Sequence, residues 1–379
     1  MSNRVLPGST IGMLGGGQLG RMFTIAARTM GYEVIVLDPD TESPAGKLAT
    51  DHVCASYDDQ TVLDYMAQTC DAITTEFENV PAPTLDALAT TCPLRPGAQA
   101  VTITQDRIHE KSFLRDNGFP TAPFAVIHTL EDLQQGIEKI GTPAILKVSR
   151  FGYDGKGQFG IDTTDDVNAA WKALNCEACV LEQRISLDIE VSVVLARGFD
   201  GELVTYPVAE NVHKGGILDV SLVPARIDNT LANKVTDMAK QIAISLNYIG
   251  VMAVEFFISN GELLVNEVAP RPHNSGHYTL DACVTDQFEQ QVRAVCGLPL
   301  GDTQQLTPIV MINMLGDIWH NGKEPDWNKL LDYPNIKLHL YGKRKARPGR
   351  KMGHYNVVAH NIDDALALAK STQKALNKP

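Results

Sequence analysis

The chain has 379 residues, 44% hydrophobic and 21% charged, and its 45 Asp and Glu against 33 Lys and Arg give a formal charge of -12. These values exclude wholesale disorder, and the acidic balance argues against broad binding to nucleic acid or a membrane surface while leaving room for a locally basic site. No apolar run approaches the ~18 residues a bilayer requires, and no charged and then apolar leader follows Met1, so the sequence reads as a cytoplasmic protein of two or three domains. Seven scattered cysteines are too few, and odd in number, for a disulfide framework. Cys176-x-x-Cys179 has no second pair to make a zinc site, so reduced, structural thiols are expected.

In chain order, the first unit is a strand over 10–14, a glycine loop Gly15-Gly16-Gly17-Gln18-Leu19-Gly20, and a helix over 21–30 that Gly31 stops. Apolar runs at 34–37 and 72–75 end in Asp38-Pro39-Asp40 and Glu76-Phe77-Glu78. Strands alternating with helices predict a parallel sheet covered on both faces, with ligands gathered at the carboxyl ends of its strands. Gly15-x-Gly17-x-x-Gly20, with Asp38 roughly 20 residues on, satisfies the dinucleotide fingerprint. Its physics speaks of phosphate rather than of NAD, because glycines admit close approach and a helix N-terminus offers N–H donors. For this loop alone, a nicotinamide dehydrogenase and a tight turn without ligand both stay open.

Near residue 105 the character changes: Gln105-Asp106-Arg107 enters a polar helix over 111–117, ended by Gly118 and Pro120. Strands are predicted at 144–148, 158–161, 179–182, 189–196, 203–207, 251–258 and 263–268, and the Asn260-Gly261 turn favours antiparallel pairing. A last unit begins near 300, passes through 310–314 and a basic loop, and closes with a helix over 363–376. The expected architecture is α/β and α+β, with a Rossmann-like parallel-sheet domain over 1–105, a differently built, largely antiparallel domain over 106–300 and a small α/β domain over 301–379.

The chemistry concentrates in the middle of the chain. Lys147 emerges from an apolar strand, where it is costly to bury unless paired, so it is expected to face an anion. Gly152-Tyr153-Asp154-Gly155-Lys156-Gly157-Gln158 fits a flap closing over a polyphosphate through backbone N–H groups, although it lacks the Walker A spacing and a solvated hairpin stays open. Glu182, Glu190, Glu255 and Glu267 interrupt apolar strands and require neutralisation, which Mg2+ bridging nucleotide phosphates would supply. A regular hairpin sets Glu255 opposite Asn266 and turns Glu267 to the other face, so a shared metal requires a bulge or bend that the sequence does not display. Arg271, His273, Asn274, Ser275 and His277 follow in a proline-restrained loop, a density that favours a site. Finally, Lys343, Arg344, Lys345, Arg347, Arg350 and Lys351 lie in a stretch, 333–362, without Asp or Glu. So compact a basic cluster suits a small phosphate better than nucleic acid, with a solvated loop as the alternative.

Taken together with Glu76-Phe-Glu78-Asn79-Val80 and Arg347-Pro-Gly-Arg-Lys-Met-Gly-His354, these motifs resemble the ATP-grasp enzymes. Among them the chain is most similar to the N5-carboxyaminoimidazole ribonucleotide synthetase family, the bicarbonate-fixing ligases of de novo purine synthesis. The resemblance implies an ATP-grasp fold over the middle domain, with ATP between its lobes. It places Lys147 and the loop Gly152, Tyr153, Asp154, Gly155, Lys156, Gly157 and Gln158 on the phosphates. It places the backbone of Glu182, Gln183, Arg184 and Ile185 along the adenine and Glu190 on the ribose. Arg107 and His213 fall at nucleotide positions by the resemblance alone, since the residues themselves read as surface. Glu255 and Glu267 would hold Mg2+ or Mn2+, with Asn266 beside them. Arg271, His273, Tyr153 and Asp154 form the implied catalytic group, and Lys343 and Arg350 the site for the 5'-phosphate of 5-aminoimidazole ribonucleotide. Gly17, Gln18, Leu19 and Glu76 would line the same cleft, Glu76 facing ribose or amine. The implied protein is a homodimer that passes its product to a mutase and binds neither nucleic acid nor membrane. A formate-dependent glycinamide ribonucleotide transformylase, a dehydrogenase using Asp38, and a non-catalytic ATP-binding regulator are the competing readings.

Overall fold

A computed structural model of the chain describes residues 4–152 and 155–377. The N-terminal sheet is parallel throughout, in the order Asp51–Val53, Glu33–Leu37, Thr10–Leu14, Ala72–Thr75. Thr10–Leu14, Glu33–Leu37 and Ala72–Thr75 are buried along nearly their whole length because helices cover both faces, and so they read as apolar runs rather than alternations. Helix Gln18–Thr29 turns Leu19, Met22, Phe23 and Ala27 onto one face, where Phe288 and Val292 of helix Gln287–Val295 join the same core. A helix from the next unit therefore seals the first sheet.

A second, antiparallel sheet has nine strands. Along it run Glu262–Ala269, Gly250–Ser259, Ile189–Arg197, Ala209–Lys214, Ile217–Val223, Ile309–Leu315, Lys351–Val358 and Ile336–Leu340, with Leu203–Thr205 attached to Ile189–Arg197. The last unit, expected to begin near 300, thus contributes its three strands to this same sheet, through the pairing of Ile217–Val223 with Ile309–Leu315. Helix Ile362–Leu376 packs on the extension. A third sheet of four antiparallel strands, Phe124–Ile127, Cys179–Gln183, Ala144–Val148 and Gln158–Ile161, carries Lys147. The strand Ala209–Lys214 was hidden from sequence reading by Glu210 and Asn211, which are tolerated inside the sheet because Arg226 pairs Glu210 and hydroxyls bond Asn211.

Where the extension meets the loop after Glu262–Ala269, His277 and His354 are fully buried with ring centroids 4.8 Å apart. His277 Nδ1 faces Gln287 Nε2 at 3.0 Å, and His354 Nδ1 faces the Tyr341 hydroxyl at 3.0 Å. Burial first, then the neighbouring histidines, hold both rings well below the ordinary imidazole range. An unfolded chain takes up protons at these positions below about pH 6.5 while the native state does not, so stability present above that pH is lost as pH falls. Each ring is expected to contribute a slope of about 1.4 kcal/mol per pH unit. Buried Glu110 is pushed up to about 8 by burial and by Glu267, and it works in the opposite sense, so the histidine contribution is best read as a difference. The melting temperature of His354→Asn should fall less than that of the wild type between pH 7 and pH 5.5, and parallel pH curves would refute the assignment.

Candidate active site

Two irregularities in the nine-stranded sheet build the site. The hairpin about Asn260-Gly261 pairs regularly from Ser259 with Glu262 to Phe256 with Val265, and then the register shifts so that Glu255 opposes Glu267. Asn266 is the extra residue of a β-bulge, and both carboxylates now share one face. The bulge is held from below by helix Arg107–Asp116. Lys111 Nζ donates to the Asn266 carbonyl at 2.8 Å, and Glu110 Oε1 accepts from Val268 N–H at 2.6 Å. A second shift, between Val212 and His213, lets His213 turn to the cleft and bond Glu190 while Val212 is left 41% exposed.

The pair suits a hard divalent cation. Its donors are carboxylate oxygens, with Asn266 Nδ2 on Glu255 Oε2 at 3.3 Å. Burial, and next the charge of Glu267, push Glu255 up, a conflict that a cation between them would relieve. Glu267 is held below its usual range despite burial, chiefly by Arg107, whose guanidinium lies 2.9 Å away. Burial opposes protonation of His213, but Glu190 and Glu255 outweigh it and hold the ring above the ordinary value.

Lys147 faces the same cleft from the third sheet. It pairs with Glu182 at 2.9 Å, and Glu182 pairs in turn with Lys111 at 3.1 Å, so one buried carboxylate joins two lysines. Burial would raise Glu182, but Lys111 and Lys147 prevail and hold it down at about 2. Burial lowers Lys147, offset by Glu182. The Glu182 side chain is thus taken up by two lysines and orients Lys147.

The glycine loop corrects the phosphate reading of its fingerprint. The Gly17 and Gly20 N–H groups both bond the Glu76 carboxylate, the latter at 2.7 Å, and Gly16 N–H bonds Asp38 at 2.6 Å. The donors a phosphate would use are occupied by the chain's own carboxylates. Asp38, the feature that favoured a dehydrogenase, also accepts from the Tyr57 hydroxyl at 3.2 Å. Gly15 sits at φ +104°, and a Cβ on Gly20 would lie 2.5 Å from the Gly15 carbonyl, so these glycines serve the tight turn itself. Burial pushes Glu76 up, opposed by its two N–H donors and by Arg271 and Lys343.

One cavity of about 630 Å³ collects most of the predicted residues. Arg107, Lys147, Gly152, Gly155, Gln158, Glu190, His213, Glu255, Asn266, Glu267, Arg271, His273, Gln18, Leu19 and Glu76 all line it. Gly17, Lys156, Gly157, Glu182, Gln183, Arg184 and Ile185 do not, and the Arg184 side chain turns to Asp162 at 2.8 Å. Tyr153 and Asp154 lie outside the described residues. Lys343 lines an adjoining basic cavity of about 480 Å³ with Arg344, Lys345 and Arg347, and donates to Gln18 Oε1 at 2.9 Å, which ties the basic loop to the glycine loop. Arg350 lines neither cavity and bonds the Lys345 carbonyl at 2.8 Å.

Five residues that line or brace the site were given no role of their own by the sequence. Ile145 and Phe257 lie on the cleft faces of their strands two residues from Lys147 and Glu255, and with Leu218 they supply an apolar slot for a flat base. The spacing of two was the available signal. Lys351, taken as one more charge in the basic cluster, reaches this cavity, and Glu78 pairs with Arg271 at 2.7 Å. Burial, followed by Arg271 and Lys351, holds His273 well below the ordinary imidazole value.

The chain is similar to known proteins along its whole length. The ribonucleotide synthetase preATP-grasp domain matches residues 8–105, the ATP-grasp domain 112–288, and the phosphoribosylaminoimidazole carboxylase C-terminal domain 309–368. The chain is 42% identical, over its whole length and 98% of the relative, to the N5-carboxyaminoimidazole ribonucleotide synthase of Bacillus subtilis. It is 46% identical to that of Brucella melitensis over 92% of this chain and 96% of the relative. Among solved structures, the Aspergillus clavatus N5-carboxyaminoimidazole synthase in complex with ADP and 5-aminoimidazole ribonucleotide superposes with a TM-score of 0.90, at 31% identity and with full coverage of both chains. Sequence identity along the whole chain and a shared three-unit order place it: the chain belongs to the N5-carboxyaminoimidazole ribonucleotide synthase family of ATP-grasp enzymes.

Proposed function

We propose that this protein carboxylates 5-aminoimidazole ribonucleotide with bicarbonate, splitting ATP to ADP and phosphate, in purine biosynthesis. The observation that carries this reading is the single cavity shared by Lys147, the Glu255 and Glu267 pair, Arg271 with His273, and the Gln18 and Glu76 edge of the first sheet. A nucleotide site, a metal-binding pair and a second substrate edge therefore meet in one space. In the division that follows, residues 1–105 bind the ribonucleotide, 106–300 hold ATP, and 301–379 supply the basic phosphate loop.

Bicarbonate is a poor electrophile. Attack of its oxygen on the γ-phosphorus, with ADP leaving, gives carboxyphosphate. The exocyclic amine then bonds the carboxyl carbon, the carbon–oxygen bond to phosphate breaks, and the amine's proton passes to the departing phosphate. Lys147 and Arg107 offset charge on the phosphates, Glu190 and His213 border the sugar, and Arg271 holds the carboxyl group. Glu255 and Glu267 would hold Mg2+, which neutralises phosphate charge when bound. Gly152, Gly155 and Gln158 line the cleft, where exclusion of water protects the intermediate from hydrolysis. By family resemblance the protein works as a cytoplasmic homodimer and hands its product to a mutase.

Phosphate release from Mg-ATP should require bicarbonate and rise with the ribonucleotide, each omitted in turn. Turnover with formate and glycinamide ribonucleotide instead would overturn the reading. Lys343→Ala with Arg350→Ala is expected to raise the ribonucleotide KM about 10- to 100-fold by removing charge-assisted phosphate contacts, with the ATP KM unchanged. An unmoved ribonucleotide KM would place its phosphate elsewhere.

A further inference from the structure

A line of buried polar groups crosses the nine-stranded sheet beneath the loop that carries His273. Ser221, Asn211 and Ser192 lie on adjacent strands, and with Ser275 of the loop all are 5% exposed or less. Ser221 Oγ donates to Asn211 Oδ1, Asn211 Nδ2 to Ser192 Oγ, and Ser192 Oγ to Ser275 Oγ, each at 2.8 Å. Ser275 Oγ lies 2.9 Å from His273 Nδ1. Hydroxyls can point either way, so these distances alone leave the direction of the line free. The backbone settles it: Ser275 N–H also meets His273 Nδ1, at 3.3 Å. A peptide N–H can only donate, so Nδ1 is an acceptor and the Ser275 hydroxyl donates to it as well. Every bond in the line then points toward the imidazole.

We propose that the line Ser221, Asn211, Ser192, Ser275 fixes His273 as the Nε2–H tautomer, so that the ring presents a hydrogen-bond donor, not a basic lone pair, to the reaction cleft. Nε2 is the cleft-side nitrogen, 3.6 Å from Glu255 Oε1. With Nδ1 engaged from within the protein, the ring keeps its proton and contributes an N–H to an anionic oxygen. The identity of that oxygen rests on the proposed function, which makes it one of the bicarbonate-derived carboxyl group or of the phosphoryl group. The proton released by the substrate amine accordingly goes to some group other than His273. Ser275 is fully buried and acts through the ring, which makes it a positioning residue.

Long-range proton–nitrogen correlation spectra of protein carrying isotope-labelled histidine read the tautomer directly. The His273 signal, identified by its loss in His273→Gln or His273→Leu, is expected to show an unprotonated Nδ1 and a protonated Nε2. A protonated Nδ1 overturns the assignment. His273→Gln keeps an N–H near the Nε2 position and His273→Leu has none, so Leu should lower kcat about a hundredfold and Gln about tenfold less severely. Equal losses would overturn the donor role. Ser275→Ala should shift the ring toward a mixture of tautomers and lower kcat about tenfold at unchanged ATP KM. An unchanged spectrum and kcat would overturn the part played by the buried line. The spectrum needs no substrate: failure of bicarbonate-dependent turnover would overturn the proposed function alone, and an Nδ1–H spectrum with turnover intact would overturn this inference alone.

Discussion

Glu255→Gln is expected to abolish bicarbonate-dependent phosphate release, by about 10³-fold or more, while making the ligand-free protein slightly more stable. Both effects come from one charge. Glu255 is pushed up by burial and by Glu267 opposite it across the bulge, so its ionised form is unfavourable in the empty cleft. A carboxyl group raised in the native state binds its proton more tightly there, and stability falls as pH rises through the interval between its unfolded and folded values. The amide removes that loss and still accepts from Asn266 Nδ2. At neutral pH the ligand-free melting temperature should rise by roughly 1–3 °C. The rise that Mg-ATP is expected to induce in the wild type should shrink, because half of the metal pair is gone. Scanning calorimetry with and without Mg-ATP, alongside the phosphate assay, checks all three. A variant that turns over normally would remove Glu255 from the site, and a lower ligand-free melting temperature would refute the electrostatic account.

Lys111→Met should cost about 3–5 kcal/mol of stability, as expected when one partner of a buried ion pair is removed. Lys111 is fully buried and serves two clients, the Glu182 carboxylate at 3.1 Å and the Asn266 carbonyl at 2.8 Å. Methionine fills similar space but satisfies neither, leaving Glu182 to Lys147 alone. Adding Glu182→Gln should recover part of the loss, since the stranded charge disappears with it. Because the carbonyl belongs to the bulge residue, the single variant should also need more Mg2+ for half-maximal turnover. Urea unfolding of the two variants, with a magnesium titration, measures both. A loss below about 1 kcal/mol would show that Lys111 is replaceable.

What the sequence displayed and what it concealed divide along physical lines. The strands Ala72–Thr75, Ala144–Val148 and Gln158–Ile161 coincide with the expected bounds, because each is a short run closed by strong turn residues. The carboxylates Glu255 and Glu267 were identifiable from the cost of burying charge, yet a regular hairpin put them on opposite faces. The bulge that unites them is held by Glu110 and Lys111, on a helix more than 140 positions away, and no local pattern encodes it. That helix was expected only as a polar one over 111–117, which left Glu110 out, although those two residues are 2% and 0% exposed. Arg107 looked like surface for the same reason: its partner Glu267 is 160 positions distant. The glycine fingerprint misled in the other direction, since the loop was correct and its anion turned out to be Glu76. The tautomer of His273 depends on a line drawn from three strands and a loop, which only the folded chain assembles.

The junction of Ile217–Val223 with Ile309–Leu315 bears on how the molecule is made. During synthesis, the strand carrying Leu218, Val220 and Leu222 leaves the ribosome roughly 90 residues before its outer neighbour, an interval on the order of 10 s. For that time an apolar edge with unpaired N–H and carbonyl groups is open to any other nascent chain. The last strands of this protein therefore act as its own aggregation guard, arriving late. A polypeptide released early, by truncation or a stalled ribosome, would carry a sticky edge and not a working two-domain enzyme.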